Sequence, residues 1–245
     1  MSMIKPTLGH TKNIKPPMID VIGFDLDDTL WAVAPVIIRA EQKLNTWLTE
    51  AAPTLQYDVV SMRQLRYEIL ASQPALAQQI TELRRQVILA ALQRSNIDDA
   101  NSVADNAMEV FLAARNEIEF FDGALEVLRK LAIDHRLGAL SNGNADIHRI
   151  GLSHLFEFAF SAEDVGKPKP DPALFIKALE HTRVDPQRMV YVGDDPELDV
   201  DAANRVGLKT VWLDHGKKSA GLSQPDITIY NIKELPEAIE SLKSR

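Results

Sequence analysis

The chain has 245 residues, 45% of them hydrophobic and 25% charged, with a formal net charge of −8; this is the profile of a globular protein long enough for one α/β domain or for a core with an insertion. The acidic balance argues against a nucleic-acid or anionic-membrane surface. With no cysteine, disulfides, thiolate metal sites and a cysteine nucleophile are excluded.

In chain order, the segment up to Pro17 mixes Lys, Pro and Gly with scattered apolar residues, and reads as a loose tail and not a signal peptide. No apolar run approaches a membrane span, so the expected location is the cytoplasm. Val21-Ile22-Gly23-Phe24 then reads as a buried strand. It ends in Asp25, Asp27 and Asp28, where an open parallel sheet binds its ligands. Carboxylates packed this densely raise one another's pKa unless a cation compensates, and Mg²⁺ is the simplest candidate. An acidic, solvated turn is the alternative reading.

After Leu30 the period becomes helical. Ile37, Ala40, Leu44, Trp47 and Leu48 form one apolar stripe, with Pro35 suited to a first turn. Met62, Leu65 and Ile69 form a second, Leu76, Ile80, Leu83, Val87 and Ala90 a third, and Val103, Ala107, Val110, Phe111 and Ala114 a fourth. Four amphipathic helices in a row resemble a small bundle. Trp47 on its stripe is expected in the core.

From Phe120 strands and helices alternate, which predicts a doubly wound parallel sheet. Asp122 is placed to cap a helix carrying Leu125, Leu128 and Leu131. Strands are expected over 136–141, 157–160, 188–193, 208–213 and 226–230. Helices are expected from Asp171-Pro172 to His181, over 196–206, and from Lys233 onward. Residues 1–30 and 119–245 thus form a discontinuous core, and 31–118 an inserted helical cap.

Polar groups stand where three further strands stop: Ser141-Asn142, Lys167 in a loop stiffened by prolines, and Asp194, Asp195 and Asp199. Each has a plain structural reading: Ser141 a turn, Lys167 and Lys169 solvated charges, Asp195 an N-cap before Pro196, Asp199 a first-turn acid. The six histidines show no metal-ligand spacing and are expected at the surface or in caps.

Together, Asp25-Leu-Asp27-Asp-Thr29-Leu30, Leu140-Ser141-Asn142-Gly143, Gly166-Lys167-Pro168-Lys169-Pro170 and Gly193-Asp194-Asp195-Pro-Glu-Leu-Asp199 resemble the four motifs of the haloacid dehalogenase superfamily, in order and across the whole core. The helical insertion resembles that superfamily's type-one caps. The resemblance implies a Rossmann-like core, Mg²⁺ and an aspartyl-phosphate intermediate. Asp25 would be the nucleophile and Asp27 the general acid and base. The Asp25 side chain, the Asp27 carbonyl and Asp194 would hold the metal. Ser141, Asn142 and Lys167 would bind the phosphoryl group, Lys167 also ordering Asp25. Asp199 would position Lys167 or a metal-bound water, Asp195 would cap its helix, and Thr29 would tie the turn.

Asp27 favours a phosphatase, because dehalogenases that attack carbon need no acid there. A phosphomutase, or a phosphate-binding regulatory protein, are the alternatives. The expected partner is a small phosphomonoester; neither nucleic acid nor membrane is expected, and the sequence does not specify an oligomeric state. Phe24 to Trp31 with Pro35-Val-Ile-Ile-Arg39, and Ser141-Asn-Gly-Asn-Ala145, resemble bacterial phosphatases acting on flavin mononucleotide and related ribityl phosphates. Trp31 could line the entrance and stack on such a substrate, or pack at the cap hinge. Arg39, Arg63, Arg66 and Tyr67 are candidate substrate contacts on the cap.

Overall fold

The computed structural model describes residues 19–55 and 58–243. The segment up to Pro17, expected to be a loose tail, lies outside the described residues. Six parallel strands, β1 (Val21–Phe24), β2 (Arg136–Ser141), β3 (Phe156–Ser161), β4 (Met189–Gly193), β5 (Lys209–Leu213) and β6 (Ile227–Ile229), form one sheet in the order β3-β2-β1-β4-β5-β6. All four residues of β1 are buried, as expected for a strand covered on both faces. Its register aligns Phe24 with Ala139 of β2 and Val192 of β4, so these three strands end level. The strand order reverses at β1, and the crevice beyond its carboxyl end is where such sheets bind ligands.

Between β1 and β2 run α1 (Val33–Ala51), α2 (Val59–Ser72), α3 (Ile80–Arg94), α4 (Ala100–Arg115) and the shorter α5 (Ala124–Leu131). The first four have apolar clusters of their own: Ala40, Leu44, Leu48, Ile88, Leu92 and Phe111 in one, Leu65, Leu83, Val87 and Ala91 in the other. Trp47 packs against the first of these, as its stripe predicts. The two faces of the sheet build separate clusters around Phe24 and Leu137, and around Phe175 and Tyr191. The chain leaves the sheet and returns to it side by side, because Trp31 and Phe120 form an antiparallel bridge and Phe121 N donates to Leu30 O at 2.9 Å.

The remaining helices are α6 (Ile147–Ile150), α7 (Ala162–Val165), α8 (Ala173–Thr182), α9 (Ala202–Arg205) and α10 (Leu235–Leu242). Three local expectations are corrected. Asp122 caps nothing: α5 starts after Gly123 in the left-handed region, and the Asp122 carboxylate pairs with Lys233 at 2.6 Å. The helix expected over 196–206 opens as a wider π-helical turn, Pro196–Asp201, before α9. His135 is not at the surface; it is buried, with Nδ1 2.9 Å from Ile19 O. Among the described residues no helix is long and apolar enough to cross a membrane.

Candidate active site

The carboxyl ends of β1, β2 and β4 deliver the acidic and hydroxyl groups anticipated there. Asp25 follows β1 directly, its N–H donating to Val192 O at 2.9 Å. One carboxylate oxygen accepts from the buried Thr29 hydroxyl at 3.2 Å, so Thr29 ties the turn to Asp25. The other accepts from the Lys169 ammonium at 2.7 Å. Lys169 also donates to Asp199 at 2.6 Å and to the Tyr191 hydroxyl at 2.8 Å, and the Tyr191 hydroxyl donates to Leu140 O at 2.8 Å.

This corrects the assignment of Lys167. The Lys167 side chain is 63% exposed and its ammonium lies 3.5 Å from Asp171, whereas that of Lys169 is 2% exposed and bridges Asp25 and Asp199. Asn142 decides which lysine turns inward: its amide donates to Lys169 O at 2.9 Å and accepts from Lys169 N at 2.7 Å. Both ends of the Asn142 side chain are thereby engaged, which makes it a clamp on the lysine loop.

Asp27 points toward Trp31 and the end of α4. Its carboxylate accepts from the Trp31 indole N–H at 2.9 Å and from Arg115 Nη2, at the end of α4, at 2.5 Å. Trp31 is fully buried and meets Phe120 edge-on, with ring centroids 6.0 Å apart. It packs where the chain leaves the sheet and offers no exposed face for stacking a substrate. Arg115 is buried, and its Nε and Nη1 have no partner among the described residues. Gly143 lies close to this pair, since a Cβ there would sit 2.6 Å from Asp27 Oδ2. Its N–H donates to Ser141 Oγ at 2.9 Å, which fixes that hydroxyl beside Asp27.

Beyond β4, Asp199 Oδ2 accepts from Asp195 N at 2.9 Å, curling the loop back over Gly193. Only glycine fits there, because a Cβ would stand 2.2 Å from that oxygen. Asp195 caps the following turn as expected, accepting from Glu197 N at 3.0 Å and Leu198 N at 2.9 Å. Asp194 and Asp195 also share the Lys218 ammonium, at 2.7 and 2.8 Å.

Asp25, Asp194 and Asp199 bring carboxylate oxygens within 4.8 Å of one another, all buried. Burial is the main force on the protonation of Asp25, Asp194 and Asp27. It pushes Asp25 up to about 7 against the pull of Lys169, with Asp199 adding repulsion. It also raises Asp194 against the pull of Lys218, and Asp27 against that of Arg115. Burial works against the charge of Lys169, yet Asp199 and Asp25 hold its pKa well above the ordinary lysine value. Three carboxylates facing two ammonium groups leave the cluster acid-rich. A hard, oxygen-seeking divalent cation fits that donor set.

A chamber of about 650 Å³ adjoins Ser141, with Asn144, Asp146, Thr81, Leu112 and Asn116 in its wall, so the end of β2 and the helices α3 and α4 all line it. The candidate cap cations lie elsewhere. Arg63 and Arg66 line a separate groove of about 730 Å³ over Met62, Val87 and Ile88. Arg39 is bound to the Glu117 carbonyl, and Tyr67 stands 63% exposed on α2.

The model of the haloacid dehalogenase-like hydrolases matches residues 19–207. The chain belongs to that family. Among curated relatives of this hydrolase, the 5-amino-6-(5-phospho-D-ribitylamino)uracil phosphatase YigB of Escherichia coli (strain K12) is 31% identical over 198 residues, covering 80% of this chain and 83% of the relative. The glyceraldehyde 3-phosphate phosphatase of Methanopyrus kandleri is 27% identical, over 92% of this chain and 99% of the relative. A solved structure described as a 2-haloacid dehalogenase from Pseudomonas syringae pv. Tomato DC3000 superposes with a TM-score of 0.88 at 39% identity, covering 91% of this chain and 99% of that one.

Proposed function

We propose that this hydrolase is a divalent-metal-dependent phosphatase of small phosphomonoesters, with Asp25 as nucleophile and residues 31–118 as a cap over a core of 1–30 and 119–245. The observation that supports it above the others is the placement of Asp27. It lies two residues beyond Asp25, held by Trp31 and Arg115, with its pKa raised by burial. A carboxyl group that keeps its proton to higher pH is suited to protonating a leaving alkoxide. A halide leaves without a proton, so a dehalogenase has no use for such a group. That weighs against the second reading, dehalogenation, which the Pseudomonas syringae structure brings in by its description.

In this reading Asp25 attacks phosphorus in line while Asp27 gives its proton to the departing oxygen. Asp27 then takes a proton from the water that attacks the aspartyl phosphate. Ser141 Oγ and nearby backbone N–H groups hold phosphoryl oxygens, and Lys169 orders Asp25 and offsets negative charge as it builds. Asp199 and Tyr191 position that lysine. The Asp25 and Asp194 side chains and the Asp27 carbonyl would hold the metal, Mg²⁺ in our reading. When bound, that ion offsets repulsion between phosphate and carboxylate.

The substrate's organic part occupies the chamber beside Ser141. The two curated relatives are named for a ribityl 5-phosphate and a triose 3-phosphate, both esters of primary alcohols. We place the substrate in that class, with ribityl phosphates, flavin mononucleotide among them, as first choice. Phosphate release from a panel of primary-alcohol phosphates, with EDTA and with Mg²⁺ restored, tests the reading. Turnover is expected only with the metal; full turnover in metal-free buffer would contradict it.

A further inference from the structure

The loop after β5 is strapped to the acidic site at several points. Within it, Gly216 N donates to Asp214 Oδ1 at 2.7 Å. The His215 ring nitrogen lies 2.7 Å from the Asp28 carbonyl, and its ring packs on Phe121 with centroids 5.3 Å apart. Further on, Leu222 N and Ser223 N donate to Asp201 at 2.9 and 2.6 Å. Between these ties stands Lys218, whose ammonium reaches Asp194 Oδ2 at 2.7 Å and Asp195 Oδ2 at 2.8 Å.

The backbone under both carboxylates is held without Lys218. Asp194 follows β4, and its main-chain carbonyl accepts from the Trp212 indole N–H at 3.1 Å. Asp195 is fixed by the two N–H groups it caps. What Lys218 brings is charge, delivered by a tethered loop to the carboxylate that borders the acid-rich cluster. A second cation on the same carboxylate is repelled by the first, and the repulsion is only partly screened where Asp194 is buried.

We propose that Lys218 is a positioning residue that acts through Asp194 as a tethered counter-cation, weakening divalent-metal binding at the cluster and so setting the metal concentration at which the site fills. The proposal rests on the reading that Asp25 and Asp194 hold a metal. Because Lys218 is 41% exposed, the Lys218→Met protein should fold.

Isothermal titration of Mg²⁺ into the metal-stripped wild-type, Lys218→Met and Lys218→Arg proteins tests this without recourse to turnover. Lys218→Met should bind Mg²⁺ tighter, with Kd lower by roughly fivefold, a size consistent with a half-exposed charge pair. Lys218→Arg, which keeps the charge, should match the wild type. The rise in Tm on adding Mg²⁺ should be larger for Lys218→Met than for the other two. Unchanged or weaker binding by Lys218→Met overturns the counter-cation role while leaving the metal site standing. Absence of Mg²⁺ binding by all three proteins overturns the metal reading and this proposal together.

Discussion

The ends of β1, β2 and β4 and the helices α2 and α3 treat charge in opposite ways. At the strand ends Asp25, Lys169, Asp199 and Tyr191 are all buried and joined by hydrogen bonds of 2.6–2.8 Å. Among the inserted helices, α2 buries only Leu65, and its charges stand in solvent or in surface pairs such as Arg94–Glu68. Buried ions survive only when each is paired, so removing one strands the rest. Exposed pairs contribute little and tolerate replacement. The strand ends therefore tolerate replacement poorly, while the exposed face of α2 tolerates it well.

The comparison breaks most readily at Asp25. Asp25→Asn should lower phosphate release by at least about 1,000-fold, since the amide is a poor nucleophile, with the far-ultraviolet circular dichroism unchanged. Next, Lys169→Met should lose activity and about 3–5 kcal/mol of stability, because two buried carboxylates lose their partner. Lys167→Met, two positions earlier in the same loop, should stay within about 0.5 kcal/mol of wild type and keep its turnover. Urea denaturation with parallel assays checks both, and equal losses would erase the distinction between the lysines.

Asp27→Asn should reduce kcat/KM about 100- to 10,000-fold on an alkyl phosphate, and markedly less on p-nitrophenyl phosphate, whose leaving group needs no proton. A uniform loss would assign Asp27 to structure. Smaller again, Trp31→Phe removes the indole bond to Asp27 but keeps a ring in the hinge; flavin mononucleotide and p-nitrophenyl phosphate should lose kcat/KM alike. A selective loss for flavin mononucleotide would restore a stacking role. Arg63→Ala and Arg66→Ala should change kcat/KM less than about twofold, as surface changes away from the chemistry do.

Much of this was legible in the residues. An apolar strand ending in acids marks β1 and β4 as buried strands with polar tips, and the four apolar stripes mark the helices between β1 and β2. The choice between Lys167 and Lys169 was not legible. A proline-stiffened loop has no periodicity, and the clamp that selects Lys169 comes from Asn142, 27 residues away. Arg115 ends an apolar stripe, where a basic residue ordinarily complements the helix dipole; only the chain's return beside Trp31 turns it onto Asp27. Lys218 sits in a polar loop with no strand or helix pattern, and nothing local ties it to Asp194. Asp195, by contrast, was readable as a cap from Pro196 alone.

The central claim, attack on phosphorus by Asp25 and then by water, is tested most directly by isotope tracing. A single turnover of a phosphomonoester in ¹⁸O-water should place the label in the released phosphate, and none in the peptide containing Asp25. Label in the Asp25 carboxylate, accompanied by halide release from a 2-haloacid and no phosphate release, would show an ester opened at its carbonyl carbon and contradict the account.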